Sequence, residues 1–243
     1  MKIFLAATGG YEEVRSKSIY ALDTFYYADE DKPNDHRRFE DYLLDSGAFT
    51  FQEGGKRKES MEEYCERYAN YIVKNDIKNY FEMDIDILVG YDKVLEIRKY
   101  LEKKTDRPCI PVWHINRGKQ DFVDMCKRYN YVSMGGIAGI RSKTEDYYKY
   151  LELMVNEAHR HHAKIHGLGF TKIDKLRTIH WDSVDSTSWL NAGKYGTFMR
   201  FTGDNVTRIP HPKGTHRIIG SREATIQGGL EWVKFQKYAK THL

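Results

Sequence analysis

Four aspartates stand where chemistry would be expected. Asp45 follows the apolar run Tyr42–Leu44, Asp84 and Asp86 follow Tyr80–Met83, and Asp185 follows Ser183–Val184. One aspartate after one such run reads as a helix cap, since Asp is a preferred N-cap residue. A set of them after successive runs reads as a site. A carboxylate in a polar setting stays ionised and attacks or steadies a cation. One that is buried or crowded by another carboxylate has a raised pKa and handles protons. That division of labour suits substitution at an anomeric sugar carbon, where a carboxylate traps an oxocarbenium-like centre.

Other residues could shape such a site. Gly135-Gly136 would let the backbone approach a flat ligand closely, or would make a tight strand-to-helix turn. His166-Gly167-Leu168-Gly169 has the same two readings, with His166 either a site residue or a satisfied core histidine. Trp113-His114-Ile115-Asn116-Arg117-Gly118 is a further polar cluster after an apolar run. His159, His161, His162 and His166 invite a metal reading. Only His159 and His162 share a helix face, however, and no His-Glu-x-x-His motif is present. Cys65, Cys109 and Cys126 are dispersed, with no Cys-x-x-Cys pair, so neither a disulfide framework nor a structural zinc site is expected. No metal and no cofactor enter the reading.

The elements that must position these residues follow from a rhythm. Short apolar runs lie at Ile3–Ala7, Tyr42–Leu44, Tyr80–Met83, Cys109–Trp113, Tyr131–Met134, Ile165–Leu168, Ser183–Val184 and Thr197–Phe201. Their continuous apolar character fits strands covered on both faces. Helix-like stretches at Ser60–Lys74, Lys93–Lys104, Lys119–Tyr129 and Lys143–His161 separate several of them, and Ser60-Met61-Glu62-Glu63 opens the first as a capping box. Eight strands alternating with helices predict an α/β fold, a single (β/α)8 TIM-type barrel over residues 1–243. A doubly wound sheet is the alternative, but Thr8-Gly9-Gly10 lacks the third glycine of a dinucleotide turn. In a barrel the ends of all these runs converge on one mouth.

The composition sets outer limits. The 243 residues are 40% hydrophobic, 14% aromatic and 30% charged, which excludes a largely disordered chain. No apolar run approaches the roughly 18–20 residues of a membrane span. The first residues, Met1-Lys2-Ile3-Phe4-Leu5-Ala6-Ala7, read as a buried strand rather than a signal peptide, and a cytoplasmic setting is expected. The net charge of +4 permits a nucleic-acid partner. The stretch 191–223 holds Lys194, Arg200, Arg208, Lys213, Arg217 and Arg222 against Asp204 and Glu223, with His211 and His216 beside them. It reads as a solvated basic face or as a surface that tracks phosphates.

Several motifs together resemble the tRNA-guanine transglycosylase superfamily. Asp45-Ser46-Gly47-Ala48-Phe49 is similar to the family's Asp-Ser-Gly-Gly-Phe, and Gly135-Gly136-Ile137-Ala138 to its Gly-Gly-Leu-Ala. Asp182-Ser183-Val184-Asp185-Ser186 is similar to the segment whose second aspartate is the nucleophile, and Met83-Asp84 to a Phe-Asp pair that reads the base. The motifs occur in family order over about residues 42–190. The resemblance implies a (β/α)8 barrel and a base-exchange reaction, with Asp185 as nucleophile and Asp45 as acid/base and orienting group. It implies base contacts from Asp84, Gly135, Gly136, Trp113, His114, Ser46 and His166.

The departures from the family are equally specific. No cysteine follows Cys126, so the family's zinc site is missing, and Trp113-His114 stands where the tRNA enzymes have a base-reading glutamine. The chain is more similar to compact, zinc-free paralogues of phages and bacterial DNA-modification clusters. The implied partners are DNA and a free 7-deazaguanine base, with tRNA as the alternative nucleic acid. Phosphate contacts would then come from Lys194, Arg200, Arg208, Lys213 and Arg217. A nucleic-acid-binding barrel without chemistry and a glycosylase ending in hydrolysis are the competing readings.

Overall fold

Seven short strands pair in parallel in this computed structural model, which describes every residue except 49, 51–58, 138–143, 210–213 and 215–219. The strands are β1 (Lys2–Ala6), β2 (Tyr20–Thr24), β3 (Asp41–Asp45), β4 (Val112–Trp113), β5 (Tyr131–Met134), β6 (Lys164–Gly167) and β7 (Ser183–Ser186). Their order in the sheet is β3-β2-β1-β7-β6-β5-β4. Single parallel bridges, Leu44 to Tyr80 and Phe81 to Ile110, link the two outer strands through residues 80–81. The fold is therefore α/β and TIM-barrel-like, with a curled parallel sheet.

Strand alternation sorts the side chains. Successive residues of a strand point to opposite faces. Phe4 and Ala6, Tyr20 and Leu22, Leu43, Phe81, Ile110 and Val112 form one buried cluster drawn only from strands and the segments bridging them, which lies inside the curl. Their neighbours Ile3 and Leu5, Ala21, Leu44, Val132, Ile165 and Val184 pack outward in two clusters with the helices. Asp45, His166, Ser183 and Asp185 have the inward parity, which brings them to the sheet's interior face.

The α-helices lying wholly among the described residues are α1 (Glu12–Arg15), α2 (Met61–Lys74), α3 (Asp86–Val89), α4 (Tyr91–Thr105), α5 (Gly118–Arg128), α6 (Glu145–Arg160), α7 (Asn191–Tyr195) and α8 (Ser221–His242). Ser60 caps α2 with the reciprocal Glu63 contact, as its sequence predicts. Tyr68 of α2 donates to the carbonyls of Leu44 and Phe81, at 3.2 and 2.9 Å, and so fastens the end of β3 to the bridging segment. Next to that segment a buried side chain replaces a ladder carbonyl. Glu82 Oε1 accepts the Val112 N–H at 2.6 Å, and Arg98 pairs with Oε2 at 2.6 Å. The fully buried Gln236 of α8 donates to the Ile3 and Tyr20 carbonyls, both at 2.7 Å, and accepts the Ile19 N–H. Among the described residues no helix is long and apolar enough to cross a membrane.

Two strand expectations need correcting. Thr197–Phe201 does not join the parallel sheet. Its core is β8 (Met199–Phe201), which pairs antiparallel with β9 (Val206–Arg208). Side chains of α8 occupy its other edge, with Gln227 bonding both the N–H and the carbonyl of Met199 and Glu231 accepting the Phe201 N–H. The parallel sheet instead uses Tyr20–Thr24. Only the four-residue α1 separates that strand from β1, so the helix-length spacing of the other runs does not reveal it.

Candidate active site

Asp45 is the last residue of β3 and turns inward. The chain must bend sharply behind it. Gly47 sits at φ +80°, and a Cβ there would stand 2.6 Å from Tyr26 Cβ and 2.9 Å from the Tyr64 hydroxyl oxygen. Only glycine fits, and its N–H donates back to Asp45 Oδ2 at 3.1 Å. Ser46 is buried. Its carbonyl accepts from Tyr64 at 2.6 Å, and its hydroxyl oxygen accepts the Ala48 N–H at 3.4 Å. Burial pushes the Asp45 carboxyl up to about 6, and the charges of Asp185 and Asp84 push the same way against the Gly47 and Thr24 hydrogen bonds.

Asp185 lies on β7, which is separated from β3 by β1 and β2 in the sheet. Its Oδ1 accepts the Gly169 N–H at 2.7 Å and faces His166 Nε2 at 3.2 Å. Among the described residues Oδ2 carries no hydrogen bond. His166 is fully buried, between the rings of Phe4 and Phe81. Its Nδ1 lies 2.7 Å from Ser183 Oγ, which lies 2.5 Å from the Tyr131 hydroxyl. Ser183 and Asp185 are two apart on one strand, so a single imidazole reaches both.

Asp84 and Asp86, which follow the segment bridged to β3, are held differently. His114 Nε2 lies 2.8 and 2.7 Å from the two oxygens of Asp84. Arg117 pairs with Asp86 at 2.8 Å and lies 3.4 Å from Asp84. Its guanidinium also donates to the Val112 carbonyl and stacks over Tyr91, 4.2 Å from the ring centroid. Ligand atoms of Asp84, Asp86 and His114 lie within 4.8 Å of one another, a spacing a metal ion could use. Arg117, with only 4% of its side chain exposed, already supplies the cation there. The histidines near the end of α6 are dispersed: His159 pairs with Asp182 and His161 with Glu157, away from His166.

The paired glycines serve the imidazole. A Cβ on Gly135 would stand 2.7 Å from His114 Cε1 and 2.7 Å from Val112 Cγ1, and one on Gly136, at φ +73°, 3.3 Å from His114 Nδ1. Gly135-Gly136 thus leaves room for His114, beside a cavity of about 250 Å³ lined also by Ile137, Tyr147 and Tyr150. Trp113 faces outward, fully buried against Phe122, with its Nε1–H on the Gly118 carbonyl. Lys194 and Arg208 both lie over the half-exposed ring of Tyr195, at 5.5 and 5.4 Å, and Arg200 is exposed nearby on β8. Phe49, Ala138, Lys143, His211, Lys213, His216 and Arg217 lie outside the described residues.

Residue-type reasoning overlooked Ser183 and Tyr131, which line up behind His166, and Thr24, which bonds Asp45. The signal for Ser183 was its i, i+2 relation to Asp185 on a strand. Nothing local marks Tyr131 or Thr24.

No protein-family model and no curated protein matches the sequence. Among solved structures the chain is similar to that of a Coccidioides immitis protein assigned as a fructose-1,6-biphosphate aldolase, with a TM-score of 0.52 and 12% identity over 99% of this chain and 92% of that one. At that identity the likeness is one of fold.

Proposed function

We propose that the chain is a base-exchange transglycosylase that replaces guanine in DNA with a 7-deazaguanine through a covalent aspartyl–sugar intermediate. The observation that carries this reading is that Asp45 and Asp185 share the sheet's inward face, near enough for the charge of Asp185 to act on Asp45. One carboxyl is pushed up to about 6 by burial and by the other's charge, and the other is held by the Gly169 N–H and the His166 imidazole, with no arginine or lysine paired to it among the described residues. Such a pair divides into a proton carrier and an anion. We read the frame as a complete, single-domain (β/α)8 barrel, with residues 80–82 as its eighth stave.

In this reading Asp185 attacks C1′ as the C1′–N9 bond to guanine breaks, and Asp45 protonates the departing base. The incoming 7-deazaguanine then attacks C1′ through N9, its proton passes to Asp45, and the bond to Asp185 breaks. Asp84, oriented by His114, recognises the purine edge. Ser46 and the Gly135-Gly136 backbone border it, and His166 steadies Asp185. Lys194, Arg200 and Arg208 contact phosphates, with Tyr195 between them offering a face to a base. The target nucleotide must leave the stack, because C1′ of a paired guanine is shielded. No cofactor takes part. The resemblance of Asp45–Phe49, Gly135–Ala138 and Asp182–Ser186 to the guanine transglycosylases supports the same reaction.

The test is mass spectrometry of nucleosides from DNA and from tRNA of cells expressing this chain with a supply of 7-deazaguanine. Modified deoxynucleosides are the expected result. Modification confined to tRNA would move the substrate to RNA, and none in either would sink the reading.

A further inference from the structure

Three groups stand in line behind Asp185, His166 and Ser183 buried and Tyr131 partly buried. Tyr131 opens β5, Ser183 opens β7, and His166 lies on β6 between the rings of Phe4 and Phe81. The spacings are 2.5 Å from Tyr131 Oη to Ser183 Oγ, 2.7 Å from Ser183 Oγ to His166 Nδ1, and 3.2 Å from His166 Nε2 to Asp185 Oδ1. All have the inward parity of the sheet, so the chain runs through its interior, from the strand beginnings toward the mouth.

Proton bookkeeping gives this chain a direction. An ionised carboxylate accepts only. His166 must then donate from Nε2, and in the neutral ring Nδ1 is the acceptor. Ser183 must donate its hydroxyl proton to Nδ1, so its oxygen accepts from Tyr131. Every group is satisfied in this one orientation. The opposite tautomer would set the Nε2 lone pair against the carboxylate. We infer that Tyr131 and Ser183 are positioning residues that lock His166 as the Nε2–H tautomer, so that both donors to Asp185 fall on Oδ1 and Oδ2 is left for the attack. This rests on the reading of Asp185 as the nucleophile.

The tautomer can be measured without any substrate. In the full chain labelled with ¹⁵N-histidine, long-range ¹H–¹⁵N correlation at pH 7.5 should show His166 as Nε2–H, and Ser183→Ala should weaken that preference. An Nδ1–H or doubly protonated ring in the unmodified protein would overturn the inference. The second arm is kinetic. Ser183→Ala should lower the rate of adduct formation with a labelled guanine-containing oligonucleotide about 10–100-fold, with KM within about twofold, as misorientation of an attacking group does. Tyr131→Phe should cost less, about 3–10-fold, because it removes a donor one step further out. Ser183→Thr keeps the hydroxyl and should restore both the tautomer and most of the rate, which separates relay from packing. A Ser183→Ala protein that loses the tautomer but keeps the full rate would also overturn the inference. Should the unmodified protein form no adduct with DNA or tRNA, the proposed reaction fails, and the tautomer arm still judges the relay.

Discussion

The strand-end carboxylates fall into two pairs held in opposite ways. Asp84 and Asp86 are paired with His114 and Arg117, and that arginine is itself fixed by the Val112 carbonyl and the Tyr91 ring. Asp45 takes hydrogen bonds from Gly47 and Thr24, and Asp185 from Gly169 and His166. A carboxylate beside a fixed cation has its charge compensated and its orientation set, which suits recognition. Where no arginine or lysine stands, burial and then the charge of a neighbouring carboxylate drive a carboxyl to hold its proton, as at Asp45. In the proposed reaction this asymmetry would separate recognition from chemistry among the strand ends.

The strongest way to break that comparison is at Asp185. Asp185→Asn keeps the shape and removes the attacking charge. It should abolish both covalent adduct and base exchange, with nucleic-acid binding changed only a few fold. A denaturing gel with labelled oligonucleotide reads this, and a normal adduct would place the nucleophile elsewhere, with Asp45 or Asp182 next to test. Asp45→Asn should slow exchange by about 10²–10⁴-fold, the usual worth of an acid/base group, while some adduct still accumulates.

Asp45 also sharpens the comparison through stability. Its carboxyl ionises near 6 in the folded protein against 3.8 ordinarily. Between those values the folded state keeps a proton that the unfolded state has lost, so stability falls as pH rises through that window. The cost is absent below about pH 3.8 and complete above about pH 6. Asp45→Asn should therefore be more stable than the unmodified chain at pH 7.5, by roughly 1–3 kcal/mol. The gain should shrink toward pH 4 in urea melts, and a pH-independent difference would contradict the raised pKa.

On the compensated side the sign reverses. Arg117→Met leaves Asp86 and Asp84 without their cation and should destabilise the protein by about 3 kcal/mol at neutral pH. Adding Asp86→Asn should recover part of that loss. The smallest effects belong to the basic patch. Charge reversal at Lys194, Arg200 or Arg208 should weaken nucleic-acid binding a few fold each and flatten its salt dependence, with the rate at saturation unchanged.

Much of the candidate site was legible because it depends on short-range pattern. Asp45 and Asp185 stand out as polar residues closing apolar runs, and Ser60 with Glu63 marks a helix start by itself. Gly47 shows why a glycine follows Asp45, but its crowding by Tyr26 and Tyr64 comes from residues 21 positions before it and 17 after it. Strand β2 escaped because its neighbour in sequence is a single helical turn. Thr197–Phe201 has a strand's composition, yet Gln227 and Glu231 from a distant helix decide that it pairs outside the main sheet.

The amino-acid sequence by itself determined most of the alternation of strands and helices and the shared face of Ser183 and Asp185, because side-chain direction repeats every two residues along a strand. Only the tertiary structure decided which carboxylates have cations. Asp86 meets the Arg117 guanidinium across 31 positions, whereas Asp185 meets an imidazole, His166, across 19. An ionisable group's behaviour is set by the charges and donors a few ångströms away, and in a curled parallel sheet those come from strands remote in the chain.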